Sequence, residues 1–307
     1  MTTHPLVSII TPSYNQAEFI EETILSVIHQ EYPNKEYLVV DGGSTDGSIE
    51  IIQKYDRQLT WSVSEPDQGQ ADAINKGFQQ SRGEIVAWLN SDDYYLPRAI
   101  ENAVYFFKQH PQAVLIYGDV ITIDAQGGFI RHLHYRQMEL LDLMCFNIIG
   151  QPAVFIRRDS LNKSGLLDLT YKFLLDHHLW LRLATVGQIF YVKKTLATAR
   201  FHSESKNVAQ AGEFGKEAFR IVEWMRADPA FKDLFHANQS RIVSAAERVN
   251  ARYLLDGGES RQAFQAYLKS LRLHPATALK EWYRIIFALL TGWGFGFLRR
   301  FIPKWRE

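Results

Sequence analysis

EIVAWLNSDD, residues 84–93, places an apolar run, Ile85 to Leu89, directly against Asn90, Ser91, Asp92 and Asp93. A short apolar run bounded by polar residues is the pattern of a strand buried on both faces. The two adjacent carboxylates that follow it, with Asn90 and Ser91 beside them, make an oxygen-rich cluster suited to Mg²⁺ or Mn²⁺. A plainer reading is a turn that caps the helix expected after Pro97, which takes Pro97 at the favoured first helical position.

Upstream, the same alternation repeats. Val7 to Thr11 is a β-branched strand that Pro12 is expected to stop. Ile20, Ile24, Val27 and Ile28 recur at helical spacing. Tyr37 to Val40 is a second strand running into Asp41 and GGSTDG, and Ile49, Ile51 and Ile52 mark a helix. Trp61 and Val63 mark a third strand, and Ala71 to Gln80 a helix. Downstream, Ile100, Val104 and Phe107 share a helix face, Val114 to Tyr117 is a strand, and Gly118 to Tyr135 is a hairpin turning at Gly127-Gly128. Gln151 to Arg157 is expected to be a strand, Asp176 to Val186 a helix, and Ile189 to Val192 a strand, with Leu196 to His202 leading into the polar loop SESKN.

Strands alternating with helices of this length imply an α/β fold with a doubly wound, mostly parallel sheet. In such sheets ligands bind beyond the carboxyl ends of the strands. Ser13 to Gln16, Asp41 to Asp46 and Asn90 to Asp93 all fall there. After Gly212 the pattern is helical to the end. The expected division is therefore 1–210, an α/β domain, and 211–307, a helical extension.

Composition limits the function classes. Among 307 residues, Lys+Arg and Asp+Glu are both 34, which argues against a nucleic-acid binder that relies on phosphate neutralisation. The one cysteine, Cys145, excludes an internal disulfide and a cysteine-rich metal site, and fits a reducing compartment. No signal peptide is read at the N-terminus. The expected location is the cytoplasm, with peripheral contact at the inner face of the plasma membrane as an option.

Single residues carry two readings each. Asp41 can accept hydrogen bonds from a base or ribose, or make an Asx turn. In EPDQGQADAINKG, Asp67, Gln68, Gln70 and Asp72 either serve a ligand or cap a helix, and Lys76 can face phosphate. Asp176 either caps its helix or acts as a general base toward a hydroxyl. His177 and His178 are adjacent, so at most one is expected to face a site. His202 is structural or a ligand, and Lys206 contacts phosphate or is solvated.

VSIITPSYNQ, VVDGGSTDGS, EPDQGQADAINKG, EIVAWLNSDD, DHHLWLRLA and RFHSESK, in that order across residues 6 to 206, resemble the family 2 glycosyltransferases, whose fold is called GT-A. The resemblance implies an inverting, metal-dependent transfer of sugar from a nucleotide-diphosphate sugar, UDP- or dTDP-linked, to a hydroxyl acceptor. That acceptor would be a cell-surface glycan or lipid-linked oligosaccharide, which implies polysaccharide biosynthesis for the cell envelope. It implies that Pro12, Tyr14 and Asp41 hold base and ribose, with Gln70, Asp72 and Lys206 also on the donor. Asp93 would coordinate Mn²⁺ or Mg²⁺, with Asp92 toward the ribose or metal shell and His202 completing the site. Asp176 looks like the base, and Gln151 would lie toward the acceptor. Two positions depart from the family pattern: Asn90 stands where many members carry an acid, and Leu175 where many carry Glu. The Gln-x-x-Arg-Trp motif of processive synthases is lacking, which points to one sugar per encounter.

The stretch 279–307 mixes aromatic, aliphatic and basic residues, Arg284, Arg299, Arg300, Lys304 and Arg306 among them. An interfacial membrane helix has this make-up; packing on the catalytic domain or a partner subunit is the other reading. A nucleotidyltransferase would show a basic, glycine-rich loop where this chain has TPSYNQ, and a dinucleotide-dependent dehydrogenase would show G-x-G-x-x-G there. A catalytically inactive sugar-nucleotide-binding scaffold is the non-enzymatic alternative.

Overall fold

A computed structural model of the chain describes residues 4–202 and 211–293. It divides into two units, Met1–Glu139 with Ile149–Arg200, and Leu140–Ile148 with Phe201–Glu307.

The first unit is built on strands β1 (Val7–Ser13), β2 (Lys35–Asp41), β3 (Trp61–Ser64) and β4 (Ile85–Trp88), interleaved with helices α1 (Ile20–Ile28), α2 (Ser48–Lys54) and α3 (Gln70–Gln80). These four strands lie parallel in the order β3-β2-β1-β4. Alternate residues of β1 serve opposite faces. Val7 and Ile9 join Ile24 and Val27 of α1 in one apolar cluster. Ile10 instead meets Gly77 of α3, where an added Cβ would lie 2.4 Å from the Ile10 side chain, so glycine sets how closely that helix approaches. Both faces are thus apolar, as helix-covered parallel sheets require.

Beyond β4 the sheet is mixed. Following β5 (Tyr94–Tyr95) and α4 (Ala99–Gln109) come β6 (Ala113–Asp124) and β7 (Phe129–Leu133), then α5 (Leu140–Met144), β8 (Val154–Arg157), α6 (Arg158–Ser164), α7 (Leu175–Val186) and β9 (Gln188–Phe201). β8 is antiparallel to both β4 and β6, and β5 is antiparallel to β9. The full order is β3-β2-β1-β4-β8-β6-β9-β5, with β7 on β6. The doubly wound, mostly parallel character therefore belongs to the first half, and the second half adds antiparallel strands.

Several boundaries differ from the sequence reading for local reasons. β1 runs through Pro12 to Ser13. Its pairing with β4 ends at Ile10, where Leu89 N–H donates to the Ile10 carbonyl, so Pro12 faces a side with no partner strand and its missing N–H costs nothing. Pro97 lies in a turn, and Arg98, in the left-handed region at φ 64°, precedes α4. Gln151 opens a single 3-10 turn, Gln151–Ala153, ahead of β8. The two strands expected around 189–202 are one, β9, and Val114 to Tyr117 is the first part of the long β6.

The second unit contains α8 (Ala211–Ala227), α9 (Pro229–Asp256), α10 (Ser260–Leu273), α11 (Pro275–Ala278) and α12 (Trp282–Gly292). Asp228 caps α9 by accepting from Ala230 N–H at 2.9 Å. Ala251, Ala263, Tyr267 and Ala288 form its apolar centre. Beside it a polar knot closes on Glu281. Arg248 and Arg252 both donate to Glu281 Oε1, and Tyr267 OH donates to Oε2 at 2.8 Å.

Candidate active site

The loops after β1 and β2 are laced together. Asn15 N–H donates to Ser44 Oγ (2.8 Å), Thr45 N–H to Asn15 Oδ1 (3.0 Å), Gln16 N–H to Ser48 Oγ (2.8 Å) and Ala17 N–H to Asp46 Oδ2 (2.9 Å). Asn15 holds φ 52°, a conformation that asparagine tolerates and that this lacing maintains. Asp41, 0% exposed, is consumed by the same loops: Oδ2 accepts from Gly43 N, Ser44 N and Ser64 Oγ, and Oδ1 from Ser44 Oγ. A ligand that touches this carboxylate must displace one of those partners. Pro12 is buried, whereas Tyr14 is 62% exposed. Ser13 Oγ and Gln16 Oε1 are buried without a hydrogen-bond partner among the described residues, leaving polar capacity at the end of β1.

The Asn90–Asp93 turn follows β4 and is held from three sides. Thr23 of α1 places its hydroxyl 2.9 Å from the Ser91 carbonyl and 2.6 Å from that of Asp93. Gln70, the first residue of α3, donates to Asn90 Oδ1 at 2.8 Å, and Asn90 Nδ2 donates to Asp93 Oδ2 at 3.3 Å. Arg200 of β9 gives its backbone N–H to Asp93 Oδ1 at 3.0 Å and its Nε to the Asp92 carbonyl at 3.2 Å. The Arg200 guanidinium lies over the Phe19 ring and reaches Glu22 and the carbonyls of Asp124 and Ala125. An acid in place of Asn90 would have no N–H to give Asp93 and would add a third negative charge. The departure from the family pattern thus has a local electrostatic logic.

Asp93 is 5% exposed, and Asp92 is half-buried. Burial first, and then the Asp92 charge, push the Asp93 carboxyl well above the usual range, against the Arg200 N–H, the Asn90 amide and the Arg200 charge. Nearby, Asp72 accepts from Gln68 N–H, and Lys76 is 2.8 Å from Glu65 and 3.6 Å from Asp72. Lys76 is thereby engaged with carboxylates, whatever anion approaches.

A third element reaches the same strand end. Trp180 of α7 stacks on Trp88, the last residue of β4, with centroids 5.2 Å apart. Asp176 lies one turn earlier on that helix and shares the Trp180 face. Asp176 is half-buried in the first turn, and its Oδ1 accepts from His177 N–H at 2.7 Å. Gln151 donates from Nε2 to the Trp88 carbonyl at 2.9 Å, and its Oε1 is buried with no hydrogen-bond partner among the described residues. The Tyr135 hydroxyl is pushed up chiefly by burial, with Arg131 opposing and the charges of Asp119 and Asp176 adding. An added Cβ on Gly150 would meet that hydroxyl at 2.7 Å, so Tyr135 sits beside the turn that carries Gln151. His177 and His178 are both buried, and His178 stacks on Tyr171 at 4.3 Å.

Gln70, Asn90, Asp93 and Gln151 therefore gather around the end of β4, on which α7 packs through Trp180. Asp41 is turned into its own loop. His202 is half-buried one residue past β9 and begins the second unit with Phe201, and Lys206 lies outside the described residues. Arg200, Thr23 and Trp180 are site-building residues that the motif reading did not single out. Arg200 stands at the head of RFHSESK, but nothing in the sequence tells that its backbone N–H is what Asp93 needs.

The family model described as "Glycosyl transferase family 2" matches residues 8–163, just over half of the chain. The putative teichuronic acid biosynthesis glycosyltransferase TuaG of Bacillus subtilis is 32% identical over 228 residues, 71% of this chain and 89% of that protein. Several rickettsial relatives, named uncharacterized glycosyltransferases, match at 30–31% identity, and the chain spans about a third of their length. In fold, the chain is similar to S. aureus TarS in complex with UDP-GlcNAc (TM-score 0.60, 16% identity, 89% of this chain and 90% of that one). It is also similar to the mannosyltransferase PcManGT of Pyrobaculum calidifontis in complex with GDP-Man and Mn²⁺ (TM-score 0.61, 20% identity, 94% and 87%). These neighbours share the mixed α/β GT-A architecture built above. With the motif-bearing strand ends inside the matched region, this chain belongs to glycosyltransferase family 2.

Proposed function

We propose that this chain transfers one sugar from a UDP- or dTDP-linked donor to a hydroxyl of a cell-surface glycan or lipid-linked oligosaccharide, with inversion and with a divalent metal. The observation that supports this reading is the Gln70–Asn90–Asp93 chain of hydrogen bonds at the end of β4, with α7, the helix that carries Asp176, stacked on that strand through Trp180. The named activities of the relatives support it: teichuronic acid biosynthesis for TuaG, and nucleotide-sugar complexes for TarS and PcManGT.

In this reading Tyr14 stacks on the base, with Pro12 and the Asp41-locked loop forming the wall behind it. Ser13 Oγ and Gln16 Oε1 supply the polar atoms left unused there. Gln70, Asp72 and Lys206 face the donor. Asp92 is the outward arm and Asp93 the inward arm of a carboxylate pair that holds Mn²⁺ or Mg²⁺, with His202 as a further ligand. The donor set suits a hard cation: both side chains are carboxylates, and Asp93 is buried beside the Asp92 charge. When bound, the metal neutralises charge on the departing nucleotide diphosphate. Asp176 takes the proton of the acceptor hydroxyl, and that oxygen bonds the anomeric carbon as the bond to the diphosphate breaks on the opposite side. Gln151 orients the acceptor. Incubation with UDP- and dTDP-sugars and Mn²⁺, scored for released nucleoside diphosphate with and without glycan acceptors, tests the reading. No release from any of these donors, together with no donor binding, would overturn it.

The proposed setting is cytoplasmic, with the second unit touching the inner face of the membrane. Among the described residues no helix is long and apolar enough to cross a membrane. Leu279, Trp282, Ile286, Leu289 and Trp293 recur at alternating three- and four-residue steps and are all exposed. The chain continues into Arg299, Arg300, Lys304 and Arg306, which suits an anionic lipid surface. Truncation before this stretch would also delete Glu281 and its arginine knot. The clean test is therefore Trp282→Glu with Ile286→Glu in the full chain, whose co-sedimentation with anionic vesicles should fall at least tenfold. Unchanged co-sedimentation removes the membrane reading.

A further inference from the structure

The geometry points to a second cation site, for a borderline ion such as Zn²⁺, formed by Asp119, His132 and His134 on the β6–β7 hairpin, apart from the oxygen-rich turn after β4. One ligand atom from each of the three lies within 4.8 Å of the others. The hairpin register produces this cluster. Val120 pairs Leu133 and Ile121 pairs His132, so His134 comes opposite Asp119 one step on, and side chains at 119, 132 and 134 share a face. The two imidazoles stand side by side, with centroids 4.0 Å apart.

The carboxylate is held for the purpose. Asp119 is buried, and its Oδ1 accepts from Tyr135 N–H at 2.9 Å and Tyr191 OH at 2.8 Å. That fixes its plane and leaves Oδ2 toward His134 Nδ1 at 2.9 Å. His132 Nε2 lies 2.8 Å from Thr195 Oγ1, which orients the second ring. Such outer partners are what orient ligands around a metal. Both imidazoles are exposed, so an ion can enter from solvent and fill its remaining positions with water.

The donor set decides the ion. Two nitrogens and one oxygen favour Zn²⁺, Ni²⁺ or Cu²⁺ over Mg²⁺, whereas the centre proposed at Asp92–Asp93 is richer in carboxylate, with His202 as its one nitrogen. The two centres are also apart along β9. Thr195 faces the histidines and Arg200 faces Asp93, five residues on, about 16 Å at roughly 3.3 Å per residue. On binding, the cation replaces the proton shared between His134 Nδ1 and Asp119 Oδ2, and that proton leaves to solvent. The bound ion would pin the stem of the hairpin at Tyr135, whose hydroxyl lies beside Gly150, next to the Gln151 turn. None of this rests on the transfer reading.

Isothermal titration of the metal-free full chain with ZnCl₂, and separately with MgCl₂, tests the site. With excess MgCl₂ present to occupy the Asp92–Asp93 turn, one equivalent of Zn²⁺ should bind, at least tenfold more weakly in His132→Ala and in His134→Ala. Both histidines are exposed, so the fold should survive; His132→Asn, which keeps a polar group toward Thr195, is the second variant. Loss of Zn²⁺ binding in it with an unchanged Tm in EDTA supports the site. Absence of Zn²⁺ binding by the parent chain, or wild-type affinity in the histidine variants, overturns it.

Discussion

Asp93 and Glu281 are both carboxylates about 5% exposed, yet they are treated in opposite ways. Glu281 accepts from two arginines and a tyrosine, and its carboxyl, though raised by burial, is brought down to about 2, with Arg252 the strongest opposing influence. Asp93 lies against a second acid, and burial and Asp92 drive it up. One charge is compensated by the fold, the other is not. The difference teaches where to look for chemistry: a fold that can surround a carboxylate with arginines does so where the acid is structural, and leaves it short of positive charge where a cation or reacting group is to arrive.

The largest expected effect lies at a third acid. Asp176→Asn should lower transfer by about a thousandfold, the scale of a lost general base, while UDP binding, measured by titration, stays within about twofold. Full transfer by this variant breaks the base assignment. Next, Glu281→Gln should destabilise the chain by about 3–5 kcal/mol, because it strands Arg248 and Arg252 in a buried place; urea denaturation measures it. A loss below about 1 kcal/mol would show that the knot is not compensated as described.

The pH dependence sharpens the same point. A carboxyl lowered in the folded state binds fewer protons there than when unfolded. Its contribution is therefore present above the ordinary value of 4.5 and is lost as pH falls from there toward 2. The stability gap between the parent and Glu281→Gln should narrow over that window. Asp93 has the opposite sign: with its pKa raised, its contribution falls as pH rises, so without metal it weakens the fold at neutral pH. Mn²⁺ at a hundred times its Kd should stabilise the parent by about 2.7 kcal/mol, seen as a rise in Tm. The smallest effect is Asp93→Asn in EDTA, which should melt no lower than the parent and gain little from Mn²⁺. A large Mn²⁺ shift retained in Asp93→Asn and in Asp92→Asn would remove the metal from this turn.

Much of the first half was legible. The β1, β2 and β4 runs are apolar on both faces, and their polar ends had to fall on one rim. The sequence also singled out the residues proposed for the site, because Asn90, Asp92, Asp93 and Asp176 each sit where an element begins or ends. It misjudged Pro12, since whether a proline stops a strand depends on a neighbour strand that ends at Trp88. It misplaced Gln151 in a strand, because three residues of a 3-10 turn leave no period to detect. The Asp119–His132–His134 cluster had no signal, as three residues spread over sixteen positions meet only through a hairpin register.

Alternation of apolar residues and the placement of glycine, proline and acids depend on neighbours a few positions apart. The sequence alone therefore determined the parallel core, the rim on which its polar strand ends fall and the family. Which acid is locked, which is left short of charge and which is clamped by arginines depends on atoms contributed from far along the chain, such as Arg200 to Asp93 and Arg248 to Glu281. Burial and pairing of charge are set by the packed surroundings in three dimensions, and only the tertiary structure decided them.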